Sequence, residues 1–198
     1  MNNEIVFDIE TQNTFNEVNN DFKKFRISVV SIFSYKENSF ISFEESEINK
    51  LWPYFERASR VIGYNSAHFD IPILNNYYPG NLLDLPHLDL MKEVHDRVGR
   101  RLKLNDIAQA TLDIEKIADG MQAITWWKEG NISDIKKYCE MDVEITKKIY
   151  EFGKANKQLF YKTLKGEVLP FVVNFDFAQN NEDQFEVSQK NINLTLPF

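Results

Sequence analysis

Phe7-Asp8-Ile9-Glu10-Thr11 ends a short apolar run, Ile5-Val6-Phe7, that reads as a buried strand. On a strand, residues i and i+2 project to one face. Asp8 and Glu10 therefore point the same way, and Phe7 and Ile9 point into the opposite layer. Two like charges side by side repel each other, and a divalent cation removes that cost. Hard oxygen donors suit Mg²⁺ or Mn²⁺. A strand end with two solvated acids fits the same five residues, so the rest of the chain has to decide.

Its 198 residues suit one domain with an appendage. Hydrophobic residues make up 43% and aromatics 14%, enough for a sizeable core and too much for global disorder. The net charge of −7 argues against a passive nucleic-acid binder. It does not argue against an enzyme that holds metal ions with carboxylates. Cys139 is the single cysteine, which excludes an intrachain disulfide and suggests a reducing compartment. No apolar stretch is long enough to span a bilayer, and Met1-Asn2-Asn3-Glu4 does not open a signal peptide. The expectation is a soluble, cytoplasmic protein.

Outward from the first strand, Gln12 to Asp21 reads as a polar loop, and Phe25 to Tyr35 and Ser39 to Phe43 as a hairpin. Glu44 to Arg57 reads as one helix, kinked or divided by Pro53. A short strand, Arg60 to Asn65, precedes a helix from Phe69 to Tyr78, with Pro72 in its first turn. Helices follow over Leu88 to Val98, Leu104 to Leu112 and Gly120 to Lys128. A long one, capped by Asn131, runs from Ile132 to about Asn156. Glu167 to Phe175 reads as a strand, 178–184 as a linker and 185–198 as a tail. Strands that give way to alternating strands and helices indicate an α/β layer fold.

Two further pieces carry acids. In Gly63-Tyr64-Asn65-Ser66-Ala67-His68-Phe69-Asp70, an acid opens a helix after a strand and turn, where negative charge is favoured. In Tyr138-Cys139-Glu140-Met141-Asp142, the i and i+4 positions share a helix face, so the tyrosine hydroxyl and the carboxylate can converge. A capping aspartate and an ordinary core tyrosine are the plain alternatives for each piece alone.

Together, Asp-x-Glu on the first strand, Asn-x-x-x-Phe-Asp at a strand-to-helix turn and Tyr-x-x-x-Asp on a late helix resemble the DEDDy branch of the DnaQ-like exonucleases. That superfamily includes the proofreading domains of DNA polymerases. The stretch from Asp84 to Tyr150 is similar to the predicted ribonuclease H-like exonucleases of the YprB type. The likeness rests on Leu85-Pro86-His87-Leu88-Asp89-Leu90, Gly99-Arg100-Arg101-Leu102-Lys103-Leu104, Leu112, Gln122-Ala123-Ile124-Thr125-Trp126-Trp127 and Tyr138-Cys139. It covers roughly residues 4 to 160.

The resemblance implies a ribonuclease H-like (DnaQ-like exonuclease) α/β fold with a central mixed sheet flanked by helices. The expected division is an exonuclease domain over 1–165 and an extension over 166–198. The implied activity is metal-dependent 3′–5′ hydrolysis of DNA or RNA, in repair or processing, with two ions of Mg²⁺ or Mn²⁺. Asp8, Glu10, Asp70 and Asp142 are the implied ligands, with Asp8 bridging. Tyr138 is implied to orient the attacking water, since a tyrosine with pKa near 10 is a poor base at neutral pH. His68, His87 and His95 all precede the last helix, which assigns the tyrosine branch rather than the histidine branch.

Thr11, Asn65, Arg100, Arg101 and Lys103 are the expected substrate contacts, on a nucleic acid with a free, single-stranded 3′ end. Lys92, Arg97, Arg100, Arg101 and Lys103 form the densest basic stretch. Trp126 and Trp127 are expected to pack rather than stack on bases, and Cys139 to fill the core facing away from Tyr138. His87 and Asp89 have no evident role. The ending Leu194-Thr195-Leu196-Pro197-Phe198 is similar to a sliding-clamp-binding peptide without its glutamine. A binding module that has lost catalysis and a structure-selective endonuclease on the same fold stay open as alternatives.

Overall fold

The computed structural model describes residues 3–114 and 120–176. Strand β1, Glu4–Thr11, sits at the middle of a five-stranded sheet. It pairs antiparallel with β2, Ile27–Ser34, which pairs antiparallel with β3, Ser39–Glu44. On its other side it pairs parallel with β4, Arg60–Gly63, which pairs parallel with β5, His87–Asp89. The order is β3-β2-β1-β4-β5, a mixed sheet with helices against it, as the α/β reading expects.

The alternation along β1 divides two cores. Ile5, Phe7 and Ile9 face a layer made with Leu51, Trp52, Phe55, Ile71 and Leu74. The layer on the other face holds Val6 with Phe33, Ile62, Leu90, Ile107, Val143 and Ile149. The first layer is built by a 3₁₀ turn over Glu45–Lys50, helix α1, Trp52–Arg57, and helix α2, Asp70–Leu74. The second is built by α3, Leu90–Val98, α4, Leu104–Leu112, and the long α6, Ile132–Asn156. Helix α5, Gly120–Lys128, packs against α6 and the end of β1.

Several boundaries differ from the sequence reading. Pro53 does not kink a long helix; it stands in the first turn of α1, where its missing N–H has no partner to lose, and a 3₁₀ turn precedes it. Helix α2 is only five residues long. His87–Asp89 is a strand where the reading began a helix at Leu88, because Asp89 caps α3 by accepting from the Met91 N–H at 2.9 Å. Asn131 does begin α6, but its side chain donates to Asp134 Oδ2 rather than capping backbone.

A strand that the sequence reading lacked, β6, Gln158–Lys162, pairs with β7, Val168–Val172, in a separate hairpin. Leu159 and Phe171 of this hairpin join the second core. A division at 165/166 falls in its turn. The linker and tail expected over 178–198, with the clamp-like ending, lie outside the described residues.

Candidate active site

Parallel pairing of β1, β4 and β5 brings their C-terminal ends to one edge of the sheet, the edge where α/β folds place ligand sites. Asp8 and Glu10 stand at the end of β1, the Asn65–Asp70 turn follows β4, and Asp89 ends β5. Beyond Glu10 the pairing of β1 with β2 shifts by a bulge, which ends the ladder beside the acids. Gly63 makes the turn after β4 possible: a Cβ there would collide with the Ser66 side chain and lie 3.3 Å from the Phe7 ring.

Helix α6 supplies the rest. Ile135, Tyr138, Cys139 and Asp142 are all buried, at i, i+3, i+4 and i+7 spacing, on the side facing the sheet. Carboxylate oxygens of Asp8, Glu10 and Asp142 lie within 4.8 Å of one another. Tyr138 hydrogen-bonds to Asp142, and its ring lies edge-on to Trp126 at 6.1 Å. Burial pushes the Tyr138 hydroxyl well above its ordinary pKa, and Asp142, Glu10 and Asp8 push it the same way.

Asp70 reaches the same edge from α2. Its Oδ1 accepts the Ile9 N–H at 3.2 Å, between the two acids of β1, and the side chain is buried. Burial raises its pKa first, then the charge of Asp89, with Asp142 adding to the effect. Asp70 belongs to this acidic edge but not to the three-carboxylate group.

Three carboxylates crowded together, two of them nearly removed from water, are costly unless a cation joins them. The donors are all oxygen. The group therefore fits a hard divalent cation, with Asp8, Glu10 and Asp142 as the residues able to hold it.

Asp89, to which the sequence reading gave no role, organises the neighbouring turn. It accepts the N–H of Asn65 at 2.8 Å and of Ala67 at 2.9 Å, besides that of Met91. Its N-cap position before an apolar-periodic helix was the available signal. His87, also without a role in that reading, hydrogen-bonds Ser66 through Nε2 at 2.9 Å. Asn65 adopts the left-handed conformation that asparagine tolerates, and its Oδ1 accepts from Arg101. Asn65, Asp89 and Arg101, with His68, Lys92 and His95, line a cavity of about 330 Å³.

The other expected contacts are elsewhere. Arg100 donates to the Lys162 carbonyl at 2.9 Å and lies over the Tyr161 ring, on the β6–β7 hairpin. Lys103 caps α4, its N–H donating to Asp106 at 3.1 Å. Thr11 is buried and donates to the Asn13 carbonyl within its own loop. Cys139 does not face away from Tyr138; it is buried with its Sγ 3.5 Å from Asp8 Oδ2, because a helix packed on a sheet buries an arc wide enough for adjacent positions. Trp126 and Trp127 are half-buried against the cluster formed by Val29, Ala123, Ile135 and Tyr138.

The chain matches the RNase_H_2 family model of the RNase H superfamily over residues 5–153, and it belongs to that superfamily. Its fold is that of an RNase H-like nuclease, a class that typically uses divalent metals on nucleic acid. Among solved structures, it resembles the family B DNA polymerase from the hyperthermophilic archaeon Pyrobaculum calidifontis. The TM-score is 0.59 at 15% identity, over 76% of this chain and 24% of that chain. The chain thus corresponds to about a quarter of that polymerase's length. No curated protein matches it in sequence. No helix among the described residues is long and apolar enough to cross a membrane.

Proposed function

We propose that this chain is a metal-dependent 3′–5′ exonuclease of the tyrosine (DEDDy) branch, acting on DNA or RNA. The observation that supports this reading is the convergence of Asp8, Glu10 and Asp142 at the sheet edge, with the Tyr138 hydroxyl hydrogen-bonded to Asp142. Asp8, Glu10 and Asp142 would hold one Mg²⁺ or Mn²⁺, and Asp70 with Asp8 would serve a second. Bound there, the ions supply a more acidic attacking water and charge neutralisation at the leaving oxygen.

The protein's own groups do the rest. Tyr138, held in its protonated form by burial and the surrounding carboxylates, orients the attacking water rather than taking its proton. Asp70, fixed by the Ile9 N–H, sits beside the acids of β1. The cavity beside Asn65 carries Lys92, His95 and Arg101 on its walls and seats the phosphate backbone of an unpaired strand. Asn65 aims Arg101 into it, and Asp89 sets the backbone of Asn65. Arg100 is not part of this seat.

The test is digestion of 3′- and 5′-labelled single-stranded DNA and RNA with Mn²⁺ or EDTA, beside Asp8→Ala and Asp142→Ala. Metal-dependent shortening from the 3′ end, lost in both variants, is the expected result. Internal cuts would assign an endonuclease instead. Mn²⁺ binding without cleavage of any substrate would assign a binding module.

A further inference from the structure

A second cavity, of about 470 Å³, opens on the face of the sheet opposite the acids. Ile5, Phe43 and Tyr54 form its floor, and Lys36, Lys50 and Arg57 stand exposed around it. Three separate stretches bring the cations together. Lys36 comes from the turn between β2 and β3, Lys50 ends the 3₁₀ turn, and Arg57 ends α1. Asp8 and Glu10 share the Val6 side of β1, whereas Ile5 lies on the side of the first core. The sheet therefore separates this cavity from the three-carboxylate group.

Charge narrows the ligand. Glu37 is the only carboxylate among the described residues that line the cavity, so the lining has an excess of two positive charges on a chain of net charge −7. Lys36 and Arg57 form no ion pair among the described residues. Lys50 pairs with Glu47 at 2.7 Å, but both side chains are exposed to solvent, where such a pair contributes little. Ser34, buried at the inner wall, accepts the Glu37 N–H at 3.2 Å through its hydroxyl, which leaves the hydroxyl hydrogen to give. A phosphate monoester carries about −1.5 to −2 charge at pH 7 and three strong acceptor oxygens, which matches this set. Arginine and lysine are the side chains that hold phosphate.

The floor asks for a flat apolar body beside that charge. The Tyr54 and Phe43 rings lie 5.9 Å apart, with Pro53 next to them on α1. A nucleobase offers the π-face that such rings take. The volume falls within the roughly 300–1,000 Å³ of small-molecule sites. A continuous strand fits less well, because Glu47 beside Lys50 and Glu56 beside Arg57 repel a polyanion that leaves the cavity.

We propose that this cavity binds a nucleoside monophosphate, with the base against Tyr54 and the phosphate held by Lys36, Lys50 and Arg57. The site stands on its own lining. Only the identity of its ligand with the product of cleavage rests on the exonuclease reading.

The experiment is calorimetric titration of the full chain with AMP in EDTA, which keeps divalent metal from the acids. Inorganic phosphate, adenosine and an oligothymidylate are titrated beside it. Lys36→Met, Arg57→Gln and Tyr54→Leu test the cavity, and Arg101→Gln reports on the one beside Asn65. Thermal melting monitors folding of each. The wild type should bind AMP more tightly than phosphate or adenosine. Lys36→Met and Arg57→Gln should each weaken AMP about tenfold, the scale of one lost charged hydrogen bond. Tyr54→Leu should weaken AMP but not phosphate, and Arg101→Gln should bind AMP like the wild type. No AMP binding, or binding weakened by Arg101→Gln and by neither Lys36→Met nor Arg57→Gln, would overturn the proposal. Phosphate bound as tightly as AMP would overturn it in favour of a plain anion site. Oligothymidylate bound more tightly than AMP, and weakened by Lys36→Met, would overturn it in favour of a strand path. Should Tyr54→Leu fail to fold, the exposed Lys36 and Arg57 variants decide the question. Strand digestion is read separately, so AMP binding and cleavage can each fail without the other.

Discussion

Helix α6 meets strand β1 at two places, and at each a tyrosine stands four residues before a charged side chain. At one end of β1, Tyr138 and Asp142 face Asp8 and Glu10. At the other, Tyr150 and Lys154 face Glu4. The Glu4 corner carries its own cations: Arg60 reaches Glu4 at 2.6 Å and Lys154 at 3.4 Å, while the Tyr150 hydroxyl donates to Glu4 and accepts from Arg60 at 2.7 Å. Arg60 also donates to the Phe175 carbonyl at 2.9 Å, tying the segment after β7 to the sheet. The Asp8 corner gathers three acids at one point and builds a place for a cation from solution. The same two elements make a structural clamp where the charges are complementary and a candidate reaction centre where they are alike.

The largest effects should separate these corners by kind. Asp8→Asn and Asp142→Asn should lower cleavage on the order of 10²–10³-fold while leaving stability equal or higher, because each removes one of three crowded charges. Labelled-strand digestion beside thermal melting checks both halves. Arg60→Met should do the reverse. It removes the closer, buried cation of Glu4, leaving the Tyr150 hydroxyl and the more exposed Lys154, and should cost about 3 kcal/mol in urea unfolding, with cleavage per folded molecule retained. An Asp8→Asn protein that unfolds, or a stable Arg60→Met protein that does not cleave, would break the comparison.

Next in size is the response to metal. Mn²⁺ at 100 times its dissociation constant should stabilise the wild type by about 2.7 kcal/mol and leave an Asp8→Asn, Asp142→Asn double variant unmoved. Thermal shift with and without EDTA reads this directly. On the clamp side, a Cβ at Gly153 would collide with the Phe175 ring and lie 3.2 Å from Val173. Gly153→Ala should therefore cost about 1–3 kcal/mol by overpacking, although alanine favours the helix, and Phe175→Leu should relieve part of that in the double variant.

The smallest effect concerns the loop that leaves β1. Burial would raise the Glu45 carboxyl, but hydrogen bonds from Arg26, Tyr77 and Gln12 outweigh it and hold it below its ordinary value of 4.5. A lowered folded-state pKa contributes stability above the unfolded value that is lost as pH falls through the folded one. Unfolding at stepped pH from 6 to 3 should show a loss of about 1 kcal/mol or less, absent in Glu45→Gln, since Arg26 is largely exposed.

Much of this was legible from local pattern. Period-2 alternation placed Val6, Asp8 and Glu10 on one face of β1 and Phe7 and Ile9 on the other. The i, i+4 spacing placed Tyr138 and Asp142 on one face of α6. Long, strongly periodic elements such as β2 and α6 read correctly in kind and extent. The short ones did not: β5 is three residues, too few for any period to show, and β6 follows α6 with no breaker stronger than Lys157 in the left-handed conformation.

Contacts between distant segments follow a different rule. That Arg101 lines the cavity while Arg100 turns to the β6–β7 hairpin depends on how the loop after α3 crosses the molecule, and adjacent residues on an irregular loop carry no shared direction. That Cys139 lies against Asp8, and Asp70 on the Ile9 N–H, depends on how closely α6 and α2 approach β1. Side-chain direction within an element is set by backbone geometry, which neighbouring residues encode. Which side chains meet is set by packing between elements far apart in the chain, and that is decided only when the whole core closes.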